Sequence, residues 1–239
     1  VEQALKASSK VLAVRGQVLP ASTQKVRLVA EMTDGSVVEG ESQIPLANKV
    51  IRRVSLVPQD AAPVKSALEA LRDADAIILG PGSLYTSVLP NLLVKGIADA
   101  LRETQAVKIY ICNVMTQPGE TDHYTASQHV KAILDHVGTG IIDYVVVNAQ
   151  DVVEDVRTTY ASQGAYPVVA DVCEIEALGL KVVKANVISE TNLVRHDPVK
   201  LSRTIISMVY KLKANSERMR LLDYYLIAEN IKELKELDD

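Results

Sequence analysis

The chain has 239 residues, 48% hydrophobic and 23% charged, the composition of a soluble globular protein. A single domain of this length buries roughly 70–75% of its unfolded surface. The net charge of −4 and pI of about 5.7 give no electrostatic footprint for nucleic acid. No apolar run approaches the ~20 residues of a membrane span, so neither nucleic acid nor a membrane is an expected partner.

The first predicted element is a helix over residues 1–10, with a strand over 11–18 behind it. The chain opens inside that helix without a Met or cap, and a fragment whose leading segment is missing is one expectation. Next comes KVRLVAEMTDGSVVEGESQIPL, where Asp34-Gly35 between β-branched residues is a hairpin signal. Its arms are predicted at 25–32 and 36–44, and a further strand at 51–57.

From Pro63 the pattern alternates. A helix over 63–72 leads to a strand over 76–79, a helix over 91–103 and a strand over 107–113. A helix over 122–137, a strand over 144–148, a short helix over 151–160 and a strand over 166–170 follow. This rhythm predicts an α/β, Rossmann-like fold, with a mainly parallel sheet, a small antiparallel hairpin excursion and a helical C-terminus. The domain division is one α/β unit over 1–212, with the excursion at about 24–46, then a C-terminal helix over 213–239.

The last two helices are predicted at 198–212 and 216–237. The second runs from basic (Arg218, Arg220) to acidic (Glu233, Glu236), against the helix dipole. Either it caps its own core or it pairs antiparallel with a second copy as a homodimer contact.

Chemistry concentrates in two loops. The first, Gly80-Pro81-Gly82-Ser83-Leu84-Tyr85-Thr86-Ser87, joins a buried strand to a helix, the usual place for a phosphate or sugar. It lacks the Lys of a Walker A loop, and Tyr85 stands where a dinucleotide fingerprint has its third glycine. The second loop runs from Asn113 to Tyr124 and carries Thr116, Gln117, Glu120, Thr121, Asp122 and His123. In a parallel sheet both loops leave from the carboxyl edge. Asp122 is a candidate N-cap for the helix that follows.

Arg195-His196-Asp197 forms a third polar cluster. Asp197 is a candidate N-cap for the helix at 198, and Arg195 is free to grip phosphate as a fork. His129 and His136 sit seven residues apart on one helical face, about 10 Å at 1.5 Å per residue. One zinc ion bonded to each at ~2 Å cannot bridge that gap. Cys112 and Cys173 match no disulfide or CxxC spacing, as expected in a reducing cytoplasm.

At GPGSLYTSVLPNLLVKGI, YICNVMTQPGETDHYTASQHV and NLVRHD the sequence resembles the YvcK family. These are bacterial cytoplasmic proteins termed gluconeogenesis factors, within the CofD-like superfamily. The resemblance runs from Val1 to about Val209 and includes VLAVRGQVLPAS and GESQIP. It implies a Rossmann-like α/β/α fold, a role in carbon metabolism and cell shape, and binding of a UDP-sugar such as UDP-N-acetylglucosamine. It places ligand contacts at Gly82, Ser83, Tyr85, Thr86, Ser87, Asn113, Thr116, Gln117 and Arg195, and names no catalytic residue.

Two alternatives stand beside that reading. The CofD branch implies transfer of phospholactate to a deazaflavin with a divalent metal such as Mg²⁺. The chain also lacks the GGGTG loop and acidic segment with which family members begin. A fragment without them would be an inert scaffold.

Overall fold

The structure is a computed structural model that describes residues 16–189 and 194–213. The predicted helix over 1–10, the start of the strand over 11–18 and the helix over 216–237 lie outside the described residues. The proposed dimer contact lies outside them too. Residues 16–18, the end of that predicted strand, are irregular.

The Asp34-Gly35 hairpin forms as expected. Gly35 takes a positive φ of 83° at the turn. Asp34 holds the turn by accepting from the Ser36 N–H at 2.9 Å and by pairing with Lys49. Its arms, β1 (Arg27–Met32) and β2 (Val37–Glu39), belong to a three-stranded antiparallel sheet of order β2-β1-β3. β3 (Ile51–Val57) pairs along β1, so the antiparallel unit extends beyond residue 46. Opposite Glu31 and Met32 stand Arg53 and Ile51, so Arg52 is the extra residue of a bulge. The bulge lets Ile51 and Val54 both face inward despite their three-residue spacing.

After α1 (Lys65–Asp73) the chain builds a four-stranded parallel sheet, β4 (Ala76–Leu79), β5 (Val107–Ile111), β6 (Tyr144–Asn148) and β7 (Lys181–Ala185). Its order is β4-β5-β6-β7. Residues along β5 alternate between two cores. Tyr110 and Cys112 face the larger one, which β1 and β3 share, while Ile109 and Ile111 face a smaller one. Helix α7 (Pro198–Lys213) covers the smaller core through Leu201, Ile205 and Met208. Asp197 caps it as expected, accepting from the Val199 and Lys200 N–H groups at 2.9 Å. The sheet thus has cover on both faces, and the α/β, Rossmann-like expectation holds.

Four expectations need correction. The helix predicted over 91–103 is broken into a π-turn (Leu84–Val88), α2 (Leu89–Leu92) and α3 (Ile97–Glu103). Leu93 closes α2, and Gly96, at φ 81°, is the N-cap from which α3 starts. Helix α4 (Ala126–Val137) starts later than residue 122, and its N-cap is Thr125, not Asp122. Thr125 and Gln128 exchange side-chain and backbone bonds in a capping box. Residues 166–170 form no strand: they pair through one bridge, Met115–Pro167, and the Tyr166 N–H that would extend it is taken by the Thr116 hydroxyl. The last strand is instead β7, reached after α5 (Glu154–Ala161) and α6 (Val172–Ala177).

His136 joins the antiparallel sheet to α4. Its Nε2 accepts from the Val54 N–H at 2.9 Å on β3, so the ring is neutral with its proton on Nδ1, which donates to the Ala132 carbonyl. Arg53 donates across the same seam to the Asp135 and His136 carbonyls. Burial holds His136 below its ordinary value of 6.5, and also lowers His129 and His196. A histidine lowered in the fold takes up its proton more readily in the unfolded chain. Stability is therefore full above pH 6.5 and falls as the medium is acidified below it. Melting temperatures at pH 7.5 and 5.5 should show this loss, and His136→Ala should reduce it while costing about 2 kcal/mol at pH 7.5.

Candidate functional site

A cleft of about 590 Å³ opens at the carboxyl edge of the parallel sheet, past the ends of β4 and β5. Four segments line it, one of them residues 160–165. The Gly80 loop brings Pro81 and Gly82; the Asn113 loop brings Asn113, Thr116 and Gln117; the hairpin before α7 brings Arg195 and His196.

The first loop is shaped by close backbone approach. Gly80, at φ 85°, passes the Ile111 carbonyl so closely that a Cβ there would sit 3.2 Å from it. The Gly80–Pro81 peptide is cis. Ser83 then starts the π-turn, its carbonyl accepting from both Ser87 and Val88 at 2.9 Å. This turn carries the next side chains away from the cleft. Tyr85 is buried, with its hydroxyl 2.8 Å from that of Tyr124 and its ring edge-on to His136. Thr86 is buried too, and donates to Glu120 Oε1 at 2.9 Å. Ser87 is exposed and Ser83 half-buried, and neither lines the cleft. Of the five residues predicted for ligand contact in this loop, the structure brings Gly82 alone into the cleft.

The second loop contributes more. Asn113 continues β5, and its side chain has no protein partner among the described residues. Thr116 lines the cleft, but its hydroxyl accepts from the Tyr166 N–H at 2.9 Å, and its own N–H donates to the Tyr166 carbonyl. The 166–170 segment is thereby strapped across the loop. Gln117 donates through Nε2 to Glu120 Oε1 at 2.7 Å, which points its amide oxygen elsewhere. Glu120 is 4% exposed and lies behind the cleft wall. It also accepts from the Tyr85 N–H at 3.3 Å. Burial raises its carboxyl above the ordinary 4.5.

Arg195 carries the one formal charge among the lining residues, and none of those residues is acidic. Its guanidinium has no ion pair or hydrogen bond within the described residues. The hairpin that presents it is held by Ser189 N–H on the Arg195 carbonyl at 3.0 Å and by Tyr160 Oη, which accepts from the Val194 N–H. His196 lies 3.2 Å by Nε2 from the Cys112 carbonyl. Tyr160, Gln163 and His196 line the cleft without having been predicted to do so. The signal for His196 was its place between Arg195 and the cap Asp197; nothing in the sequence pointed to Tyr160 or Gln163.

The cleft suits binding of an anion flanked by polar groups. Cys112, in the larger core, is pushed up to about 12 by burial and is a thiol at neutral pH. The lining side-chain oxygens available to a divalent cation are amides and the Thr116 and Tyr160 hydroxyls, beside an arginine, a donor set that does not fit Mg²⁺. His129 and His136 each bond to a backbone carbonyl, and among the described residues no group of three acidic, His or Cys side chains could hold a metal.

A second cavity of about 690 Å³ lies beyond β6 and β7, between Asn148, Asp151, Arg157 and Lys184. The strapped segment separates it from the cleft. No described helix is long and apolar enough to cross a membrane.

A family model described as 2-phospho-L-lactate transferase CofD matches residues 1–188. A gluconeogenesis factor of Halalkalibacterium halodurans is 51% identical over 199 residues, covering 83% of this chain and 62% of that protein. The gluconeogenesis factor of Bacillus subtilis is 48% identical over 202 residues, covering 84% and 64%. A crystal structure of a UPF0052-family protein from Bacillus halodurans matches with a TM-score of 0.83 at 49% identity, covering 86% of this chain and 66% of that one. The chain spans a little under two thirds of the length of these relatives.

Two substitutions test this construction. Glu120→Ala strands three hydrogen-bond donors and should cost about 3 kcal/mol in urea denaturation. Gly119→Ala should cost at least as much, since Gly119 has φ 76° and a Cβ there would overlap the Pro45 carbonyl.

Proposed function

Because the chain belongs to the CofD-like family, in its YvcK branch of gluconeogenesis factors, we propose that its cleft binds a UDP-sugar of the UDP-N-acetylglucosamine type. Binding, without catalysis, would let the protein regulate carbon metabolism and cell shape in the cytoplasm. One observation carries the reading. An arginine without an ion-pair partner among the described residues lines a cleft whose described lining has no carboxylate, at the carboxyl ends of parallel strands. A diphosphate satisfies the charge, and Asn113 and Gln117 can meet sugar hydroxyls or a base edge. Ser83 and Ser87 lie outside the cleft lining and would be met only by a ligand that extends beyond it. Tyr85 and Thr86 act behind the wall by positioning it.

The transferase alternative draws support from the description of the matched family model. The poor fit of Mg²⁺ to the cleft residues counts against it.

The test uses the full-length protein. UDP-N-acetylglucosamine at 100 times its Kd should stabilise the fold by about 2.7 kcal/mol, a shift of several degrees in melting temperature. Arg195→Ala should weaken binding by about 1.5–3 kcal/mol in calorimetry. No shift with UDP-sugars, together with Mg²⁺-dependent turnover of a deazaflavin, would overturn the reading.

A further inference from the structure

Two groups in the cleft have their hydrogen-bonding sense dictated by the protein. The Cys112 carbonyl can only accept, so the His196 Nε2 that faces it at 3.2 Å carries the proton. In the neutral ring Nδ1 is then an acceptor and nothing else. Burial lowers the pKa of His196 and keeps that ring neutral at pH 7. Among the described residues Nδ1 has no hydrogen-bond partner, and it is not among the fully buried polar atoms left unpaired, so it is an accessible acceptor on a ring that lines the cleft. Gln117 is treated likewise. The Glu120 carboxylate requires the NH₂ end of its amide at 2.7 Å, which leaves Oε1 as a second acceptor in the same lining.

Arg195 attracts negative charge, yet these two acceptors repel the oxygens of a bare phosphate. They are satisfied only by a ligand that brings hydroxyl or N–H donors beside its charge. We propose that His196 is the specificity-determining residue of the cleft, its Nδ1 selecting glycosyl or nucleoside phosphates by accepting from a sugar hydroxyl or a base imide. The inference rests on the sugar-nucleotide reading given above. A site built around unpaired acceptors discriminates strongly, because a ligand without the donor leaves them desolvated and unmatched.

The experiment is calorimetry on the full-length protein with UDP-N-acetylglucosamine and with inorganic pyrophosphate. His196→Phe should weaken the UDP-sugar by about tenfold or more and leave pyrophosphate within about twofold. His196→Gln, which can donate to Cys112 and still offer an acceptor, should restore most of the loss. Arg195→Ala should weaken both ligands. Should His196→Phe fail to fold, imidazole ¹⁵N spectra of the wild type carry the test. They should show His196 protonated on Nε2, with Nδ1 shifting on addition of the UDP-sugar and not of pyrophosphate. A wild type that binds the UDP-sugar while His196→Phe binds it equally well, or loses both ligands alike, overturns this inference alone. So does a His196 ring protonated on Nδ1. A wild type that binds no UDP-sugar overturns the parent reading with it.

Discussion

The site depends on one buried carboxylate. Glu120 receives Thr86 and the Tyr85 N–H from the first loop and Gln117 from the second, with 4% of its surface exposed. No cation among the described residues is paired with it, so hydrogen bonds alone hold its carboxyl, an arrangement that tolerates little misplacement of its donors. It therefore determines how far apart the two cleft walls stand. The π-turn follows from the same constraint, since the wider turn aims Thr86 inward while the chain continues into α2.

The outer supports act on this centre from either side. His136 and Arg53 bind the antiparallel sheet to α4, whose capping box lies directly after the second loop. The 166–170 segment binds the other flank of that loop through Thr116. Arg195 is presented by a hairpin resting on Tyr160 and on the Asp197 cap. The residues left for a ligand are those that these supports do not consume.

Much of the frame could be read from residues alone. The AIIL run of β4 and the Asp34-Gly35 turn appeared where expected, since apolar runs and turn residues are local signals. β7 went unread because KVVKA is short and framed by lysines. The strand expected at 166–170 looked right in composition, but it forms one bridge, since the Tyr166 N–H goes to the Thr116 side chain. At the site, Gly82, Asn113, Thr116, Gln117 and Arg195 converge in space. The hydroxyls of Tyr85 and Thr86 pointed to a ligand in the sequence because their true partners, Tyr124 and Glu120, are more than thirty residues away. Local pattern carries no information about such pairings.

The contact between Gly119 and Pro45 acts as a mechanical joint. It seats the short 3₁₀ turn Pro45–Ala47 against the backbone of the loop that carries Gln117, with no side chain between to absorb error. The same sheet ends at its other extremity in the exposed Asp34-Gly35 tip, which touches no part of the cleft. Changes in chain length are thus harmless at one end of the sheet and transmitted straight to the ligand wall at the other. Divergent relatives, or an engineer placing a label, have room at the tip and none at the joint.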